Sequence, residues 1–140
     1  QMQTPIAGEY VVYWQNTSST RDLVISAAGI NSEEAIRAKL WFVTGTAAAG
    51  TAVTPTNLNK QSSNAAEATA MEGASASTGI TGLATDGLID FLGNNVLGHE
   101  EFRLDDTLRL GQNDAIAIEM DEGTEGDVWG VIFGYYENSQ

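Results

Sequence analysis

The apolar residues of this 140-residue chain are gathered in short runs, and this feature constrains its fold more than any other. The longest run, Val128–Tyr136, has nine residues and includes two glycines. A helix that spans a membrane needs roughly 20 apolar residues, so none is predicted. Short runs of β-branched and aromatic residues bounded by glycine, asparagine and serine are typical of strands. The pattern therefore favours an all-β domain.

Eight runs predict strands, and their close spacing with glycine and asparagine turns is typical of a sandwich or barrel. They are Glu9–Trp14, Leu23–Ala27, Ile36–Thr44, Ala65–Met71, Leu88–Leu92, Thr107–Leu110, Ala115–Met120 and Val128–Glu137. We predict a single antiparallel β-sandwich of jelly-roll type over residues 9–140, with Gln1–Gly8 as a flexible N-terminal arm. Val128–Glu137, the most hydrophobic run, is expected to be central and covered on both faces.

Several local details accompany this prediction. Ile36–Thr44 alternates in polarity, which indicates a half-buried strand. A helix over Ser32–Trp41 is the competing interpretation, because its residues are good helix formers. We expect Gly29–Glu34 to be a loop in which Ser32 caps a helical turn, and Gly93-Asn94-Asn95 to be a turn. Thr107–Met120 predicts a β-hairpin, or a bend between two strands.

The net charge of −13 comes from 6 basic and 19 acidic residues. Contacts to phosphate need clustered Lys and Arg, so binding to naked nucleic acid is not expected. The segment Gly98–Gln140 contains 11 of the acidic residues and 2 of the basic ones. This acidity indicates either a solvated, self-repelling surface or an acidic face for a partner. Nothing in Gln1–Gly8 is typical of a signal peptide.

The sequence contains no constellation typical of an enzyme. His99 is the one histidine and there is no cysteine, so neither an HExxH motif nor a zinc–cysteine site can form. Adjacent carboxylates such as Glu100-Glu101 point to opposite faces when they lie on a strand, which prevents them from acting as an acid/base pair. We therefore predict no catalysis and no cofactor, with His99 at the surface.

Two weaker alternatives remain open. Carboxylate oxygens are the ligands that Ca²⁺ prefers, and the acidic glycine loop Asp121–Asp127 offers four of these side chains although it lacks the EF-hand pattern. The weak metal candidates are Asp121, Glu122, Glu125 and Asp127. The aromatic residues could instead form a platform that stacks on sugars, although core packing or a subunit interface is the commoner use. They are Tyr10, Tyr13, Trp14, Trp41, Trp129, Tyr135 and Tyr136.

The polar connection Gly50–Asn64 resembles a segment of small structural proteins of tailed bacteriophages. Those proteins carry a strand, then a Gly-Thr-x-Val-Thr-Pro-x-Asn-Leu-Asn stretch followed by Ser-Ser-Asn, and they finish on a strand that ends in an aromatic-acid pair. The matching residues here are Gly50, Thr51, Val53, Thr54, Pro55, Asn57, Leu58, Asn59, Ser62, Ser63, Asn64, Tyr136 and Glu137. The acidic segment Glu100–Asp127 departs from the pattern.

The resemblance implies a capsid decoration (cement) protein, a jelly-roll homotrimer that binds the major capsid protein on the outer surface of the virion. It implies no enzymatic residue, and no nucleic acid or membrane partner is expected. Pro55 fixes a backbone angle and lacks a ladder donor, so its stretch belongs at a sheet edge or in a loop. The residues expected to meet a partner are Gln1, Met2, Gln3, Thr4, Pro5, Asn57, Asn59 and Asn64. A carbohydrate- or receptor-binding β-sandwich is the alternative.

Overall fold

The fold is taken from a computed structural model, which describes residues 9–47, 50–59, 63–73, 80–81, 87–102, 104–123 and 128–139. These residues form nine strands and no helix, which confirms the all-β class. They therefore include no helix capable of crossing a membrane. The strands are β1 (Glu9–Asn16), β2 (Arg21–Gly45), β3 (Thr51–Val53), β4 (Ala68–Glu72), β5 (Ile80–Thr81), β6 (Leu88–Phe102), β7 (Leu108–Leu110), β8 (Ala115–Gly123) and β9 (Val128–Asn138).

Strand pairing connects all nine strands into one antiparallel sheet. The long strand β2 is its axis and has partners on both edges. On β2, residues 21–32 pair with β9 and residues 36–43 with β8. Residues 23–25 pair with β7 and residues 28–41 with β6. Because the pairing gives one connected sheet, the division into two packed sheets that a jelly roll requires stays a prediction.

β2 joins two predicted strands, and it bends where they meet. The loop prediction for Gly29–Glu34 is wrong, because residues 29–32 pair with β6 on one edge and β9 on the other. The helix alternative for Ser32–Trp41 is also wrong. At the bend, Ser32 Oγ donates to Glu34 O at 2.7 Å and accepts from Glu34 N at 3.3 Å. The polar residues that resemble a loop thus form an exposed bend within a continuous strand.

β1, β4 and β3 extend the sheet beyond β8, with β3 as the outermost strand. β1 contains one extra residue, Val11, between the pairs Tyr10↔Glu119 and Val12↔Ile118. Such a bulge breaks the alternation of side chains between the two faces. Val11 and Val12 therefore both pack with the main core, while Tyr10 packs on the other face.

The main hydrophobic core joins the two halves of the bent strand β2. Leu23 and Ile25 from the first half pack in one cluster with Leu40 from the second half and with Ile118 of β8. A second cluster lies on the opposite face of the sheet and includes Trp41. The members of the second cluster are Tyr10, Tyr13, Trp41, Val43, Ala47, Ala115 and Ala117. The segment Ile36–Thr44 alternates between buried and partly exposed residues up to Leu40, as predicted for a half-buried strand, whereas beyond it Trp41 and Val43 are buried on the second face and Phe42 is exposed.

One further turn prediction is corrected, and the alternatives left open for Thr107–Met120 are decided. Gly93-Asn94-Asn95 lies inside β6, where the step from Leu92 to Val96 faces a shorter step on β2, so these residues form an irregularity in the strand. Thr107–Met120 is a bend and not a hairpin, because β7 pairs with β2 whereas β8 pairs with β1 and β2. At the bend, Gly111 N donates to Asp114 Oδ2 at 2.9 Å.

The last strand, β9, is an edge strand, and the prediction that Val128–Glu137 is central and covered on both faces is wrong. Among the described residues, β9 pairs with β2 on one edge and with no strand on its other edge. Ile132 and Tyr136 pack against the main core. Phe133 and Tyr135 alternate with them and are 45% and 44% exposed. A continuous apolar run thus covers the core with one face and presents aromatic rings on the other.

Candidate functional site

An open groove of about 710 Å³ separates β9 from the stretch that follows β3. One wall is Gly130–Tyr136, the other is formed by Val53–Asn59 with Asn64–Ala66, and Val12 and Trp14 of β1 lie at its base. Six large hydrophobic side chains are exposed in the described part of the chain, and four of them line this groove. Those four are Val53, Leu58, Phe133 and Tyr135. We call this surface the β9 groove.

Glycines bring the β9 wall close to the strands beneath it. A Cβ added at Gly130 would lie 2.9 Å from Val12 Cγ1, and one added at Gly134 would lie 2.6 Å from Val24 O. Real Cβ atoms do not approach so closely, so both positions need the absence of a side chain. Glycine within a strand often marks such a close approach of backbone. The wall is therefore fixed by packing against β1 and β2.

The opposite wall is held by its own asparagines. Asn57 Nδ2 donates to Asn64 O at 2.9 Å, and Asn57 Oδ1 accepts from Asn59 N at 2.8 Å. A side-chain oxygen that accepts from the backbone two residues ahead makes an Asx-turn, which fixes a loop without a helix or sheet ladder. Leu58, between Asn57 and Asn59, is left 77% exposed. The polar residues thus shape the loop and the apolar residue is presented to solvent.

The groove is close to neutral although the chain is strongly acidic. Its lining includes one charged residue, Arg21, which pairs with Glu67 at 3.1 Å and lies 4.7 Å above the ring of Tyr136. Burial raises the pKa of Tyr136, so this ring stays uncharged at neutral pH. The exposed lining of the groove is therefore largely apolar, with amide groups along one wall.

The residues predicted to meet a partner are divided by the structure. Asn57, Asn59 and Asn64 all line the β9 groove, where the Asn57 side chain closes the loop. Gln1, Met2, Gln3, Thr4 and Pro5 lie outside the described residues. The three predicted asparagines therefore lie in the lining of the apolar groove. Their contact with a partner stays a prediction.

The metal candidates are not brought together by the described residues. Asp121 pairs with Arg37 at 3.2 Å and with Lys39 at 2.7 Å, so both of its oxygens already face cations. Glu122 belongs to β8, while Glu125 and Asp127 lie outside the described residues. Across the described residues, no group of three or more His, Asp or Glu is placed to share a metal ion. A calcium site in this loop stays a prediction.

The aromatic candidates are spread over different environments. Tyr10, Tyr13 and Trp41 are buried in the second cluster. Trp14 and Tyr136 are partly buried against the main core. Three further aromatic positions belong to β9: Trp129, Phe133 and Tyr135. The predicted platform is therefore not assembled as one surface, and the exposed aromatic rings in the groove are Phe133 and Tyr135.

The predicted position of His99 is confirmed, because its side chain is 52% exposed, with Nε2 3.2 Å from Glu101 Oε1. A shallow depression beside it is lined by several carboxylates and by no buried polar side chain that would aim at a ligand. The surface around His99 thus has the character of a solvated acidic patch.

Two buried carboxyl side chains, those of Glu72 and Glu119, were not anticipated from the sequence. Glu119 is 1% exposed and accepts a hydrogen bond from Trp41 Nε1 at 2.6 Å. Burial raises the pKa of Glu119, the hydrogen bond from Trp41 opposes that rise, and the nearby charge of Asp121 adds to it. Glu119 lies between β1 and β2, outside the lining of the β9 groove, and its hydrogen bond to Trp41 joins it to the second cluster.

The β9 groove was also not anticipated as a site. The signal is present in the alternation of Val131, Phe133 and Tyr135 with the core-facing Ile132 and Tyr136. A strand with one exposed apolar face has the same continuous run of apolar residues as a strand that is buried on both faces. Because such runs are typical of buried strands, the sequence alone favours burial of Val128–Glu137 on both faces. Comparisons with protein-family models, with curated proteins and with solved structures found no match.

Proposed function

We propose that this protein is a structural component of a tailed-bacteriophage virion, a decoration protein that binds the outside of the capsid. In that role it stabilises junctions between capsomers of the major capsid protein. One observation carries the proposal: Val53–Asn59, the centre of the stretch that resembles phage structural proteins, forms a wall of the exposed apolar groove. The segment that carries the resemblance thus lies in the apolar groove of the described chain.

The physical character of the groove supports a protein partner. Exposed apolar side chains that are grouped together mark interaction surfaces more often than scattered ones do. Aromatic residues are enriched at the centres of protein interfaces, and Phe133 and Tyr135 supply them here. The acidic remainder of the surface disfavours non-specific association. A partner that covers the groove would bury Leu58, which is otherwise 77% exposed.

The direct test is to add the purified protein to phage heads that lack it and to image them by electron microscopy. The proposal predicts extra density at regular positions on the outer surface of the shell. It also predicts that decorated heads break at a higher temperature than bare ones. Heads that remain bare at saturating protein would reject it.

The proposed oligomeric state needs a separate measurement. We propose a homotrimer, and light scattering of the purified protein should give three times the monomer mass, in solution or after extraction from the shell. A stable monomer in both conditions would reject the trimer without rejecting capsid binding.

A carbohydrate- or receptor-binding module is the second candidate, favoured by the exposed rings of Phe133 and Tyr135 on one face of β9. A glycan array should then show binding that Phe133→Ala removes. Phe42→Ala is the matched control, because Phe42 is similarly exposed at 42% and lies outside the groove. An array without hits would exclude glycans as the ligand.

A further inference from the structure

We propose that the β9 groove takes an extended, uncharged segment of the partner's polypeptide, which adds as a strand along the edge of β9 that faces away from β2. The inference rests on the proposed function, since it takes the partner to be a protein of the shell. It adds the conformation and the chemistry of the part that is bound. A segment added in this way is held by main-chain hydrogen bonds as well as by its side chains.

The groove follows the edge of β9 and not one of its faces. Its lining includes every residue from Gly130 to Tyr136, so the core-facing Ile132 and the solvent-facing Phe133 both contribute. Side chains of a strand alternate between its two faces, and consecutive residues therefore share the edge. Among the described residues, β9 pairs with β2 alone. Its other edge thus offers N–H and C=O groups that an extended segment can satisfy.

The end of β9 shows which of its amides point to this edge. Ser139 N, directly after the strand, donates to Thr20 O at 3.2 Å, beside the start of β2. Successive N–H groups of a strand point to opposite edges. Those of Tyr136 and Gly134, three and five residues before Ser139, therefore point away from β2. Gly134 is exposed, and because glycine has no side chain, its exposed atoms are backbone.

The opposite wall of the groove does not supply a strand for this edge. β3 ends at Val53, and Pro55 after it has no N–H to donate. The side chain of Asn57 then bonds within its own loop, to Asn59 N and Asn64 O. A strand inserted into the groove would therefore pair with β9 and contact the other wall through side chains.

The charge of the lining indicates the chemistry of the inserted segment. Arg21 is its one charged residue and pairs with Glu67 at 3.1 Å. A charged side chain that entered the groove would lose its hydration without gaining a free counter-charge. Side chains that point inwards would cover Trp14, and those that point outwards would lie beside Phe133 and Tyr135. An uncharged segment of about seven residues, rich in β-branched or aromatic residues, fits both faces.

A donor at the base of the groove favours a polypeptide over a purely apolar ligand. Trp14 lines the groove, and its buried Nε1 makes no hydrogen bond in the described structure. A buried donor without a partner is destabilising. An inserted strand brings carbonyl oxygens to this base, whereas an apolar small molecule brings no acceptor.

The first measurement uses the full chain alone. Hydrogen exchange of the free protein, read by NMR, should be roughly tenfold faster at the amides of Gly134 and Tyr136 than at those of Tyr135 and Glu137. The two pairs alternate along one strand, so fraying of the strand end affects both. Equal protection of the two pairs would show that this edge is already covered, by the same chain or by a second copy, and would overturn the proposal.

The second measurement uses the protein bound to phage heads that lack it. Exchange proceeds on the heads, is quenched, and is read by NMR after the heads are dissolved. The amides of Gly134 and Tyr136 should exchange roughly tenfold more slowly than in the free protein. If the heads bind the protein while these two amides stay unprotected, strand addition is wrong and the proposed function stands. Heads that bind no protein would reject both.

Two lysine variants test the edge itself, because a lysine on an edge strand hinders the addition of another strand. Phe133→Lys should raise Kd for the heads roughly tenfold. Phe42→Lys places the same charge outside the groove and should bind as the wild type does. Both rings are exposed, at 45% and 42%, so neither variant is expected to unfold. Equal binding by the two variants would overturn the proposal.

Discussion

At the scale of single residues, the carboxyl side chain of Glu119 is almost fully buried, with 1% of it exposed. It is enclosed between β1 and β2 and receives a hydrogen bond from Trp41 Nε1. Because burial penalises the charged form, the pKa of Glu119 in the folded protein is raised above its ordinary value of 4.5. The hydrogen bond from Trp41 offsets part of the desolvation cost of burying this carboxyl.

The raised pKa predicts a pH dependence of stability. The folded protein binds the Glu119 proton more tightly than the unfolded chain, so the contribution of this group is fully present below the unfolded pKa. It is lost as pH rises from about 4.5 through the folded pKa. Glu119→Gln keeps an acceptor for Trp41 and cannot titrate. Urea unfolding at several pH values should therefore show a smaller loss of stability on raising the pH in this variant.

The control for that experiment is Glu101→Gln, because Glu101 is exposed. This variant should follow the wild-type pH profile. If Glu119→Gln also follows it, the carboxyl of Glu119 does not titrate differently in the folded and unfolded states, and the explanation from burial is wrong.

At the scale of elements, the sequence pattern predicted the strands but did not show which predicted strands continue through a predicted loop or turn. Gly29–Glu34 has the glycine, asparagine and serine of a loop, yet pairing on both edges extends β2 through it. Gly93-Asn94-Asn95 is absorbed by β6 in the same way. Local turn signals were outweighed by long-range ladder pairing, which a single sequence does not display.

The element that carries the candidate site was misplaced for a related reason. An unbroken apolar run is typical of a strand covered on both faces. In β9 one face covers the core and the other exposes Phe133 and Tyr135. The sequence does identify the edge position of Gly50–Asn64, since β3 is the outermost strand. It could not predict that this edge and β9 would enclose a groove, because their approach depends on the tertiary fold.

The close packing of β9 can be tested at Gly134. A Cβ there would lie 2.6 Å from the carbonyl oxygen of Val24, which is backbone and cannot rotate away. Gly134→Ala should lower the free energy of unfolding by about 1–3 kcal/mol through overpacking. Gly111→Ala is the control, because its nearest neighbour is the side-chain atom Asp114 Oδ2 at 3.2 Å. Equal stability of the two variants in urea unfolding would contradict the close approach of β9 to β2.

At the scale of the whole molecule, charge and apolar surface are separated. The four described basic side chains each pair with a carboxylate: Arg21, Arg37, Lys39 and Arg109. The net charge of −13 therefore disfavours non-specific association. The β9 groove is a largely uncharged part of the described surface and contains four of its six exposed large hydrophobic side chains.

The central claim is that the β9 groove is the surface that binds the capsid. The measurement that tests it most directly is co-sedimentation of wild-type, Leu58→Asp and Leu88→Asp proteins with phage heads that lack the protein. Leu58 and Leu88 are both exposed leucines, at 77% and 51%, and of the two Leu58 lines the groove. We predict that Leu58→Asp raises Kd at least tenfold, about 1.4 kcal/mol, while Leu88→Asp binds as the wild type does. Equal binding by all three proteins would contradict the claim.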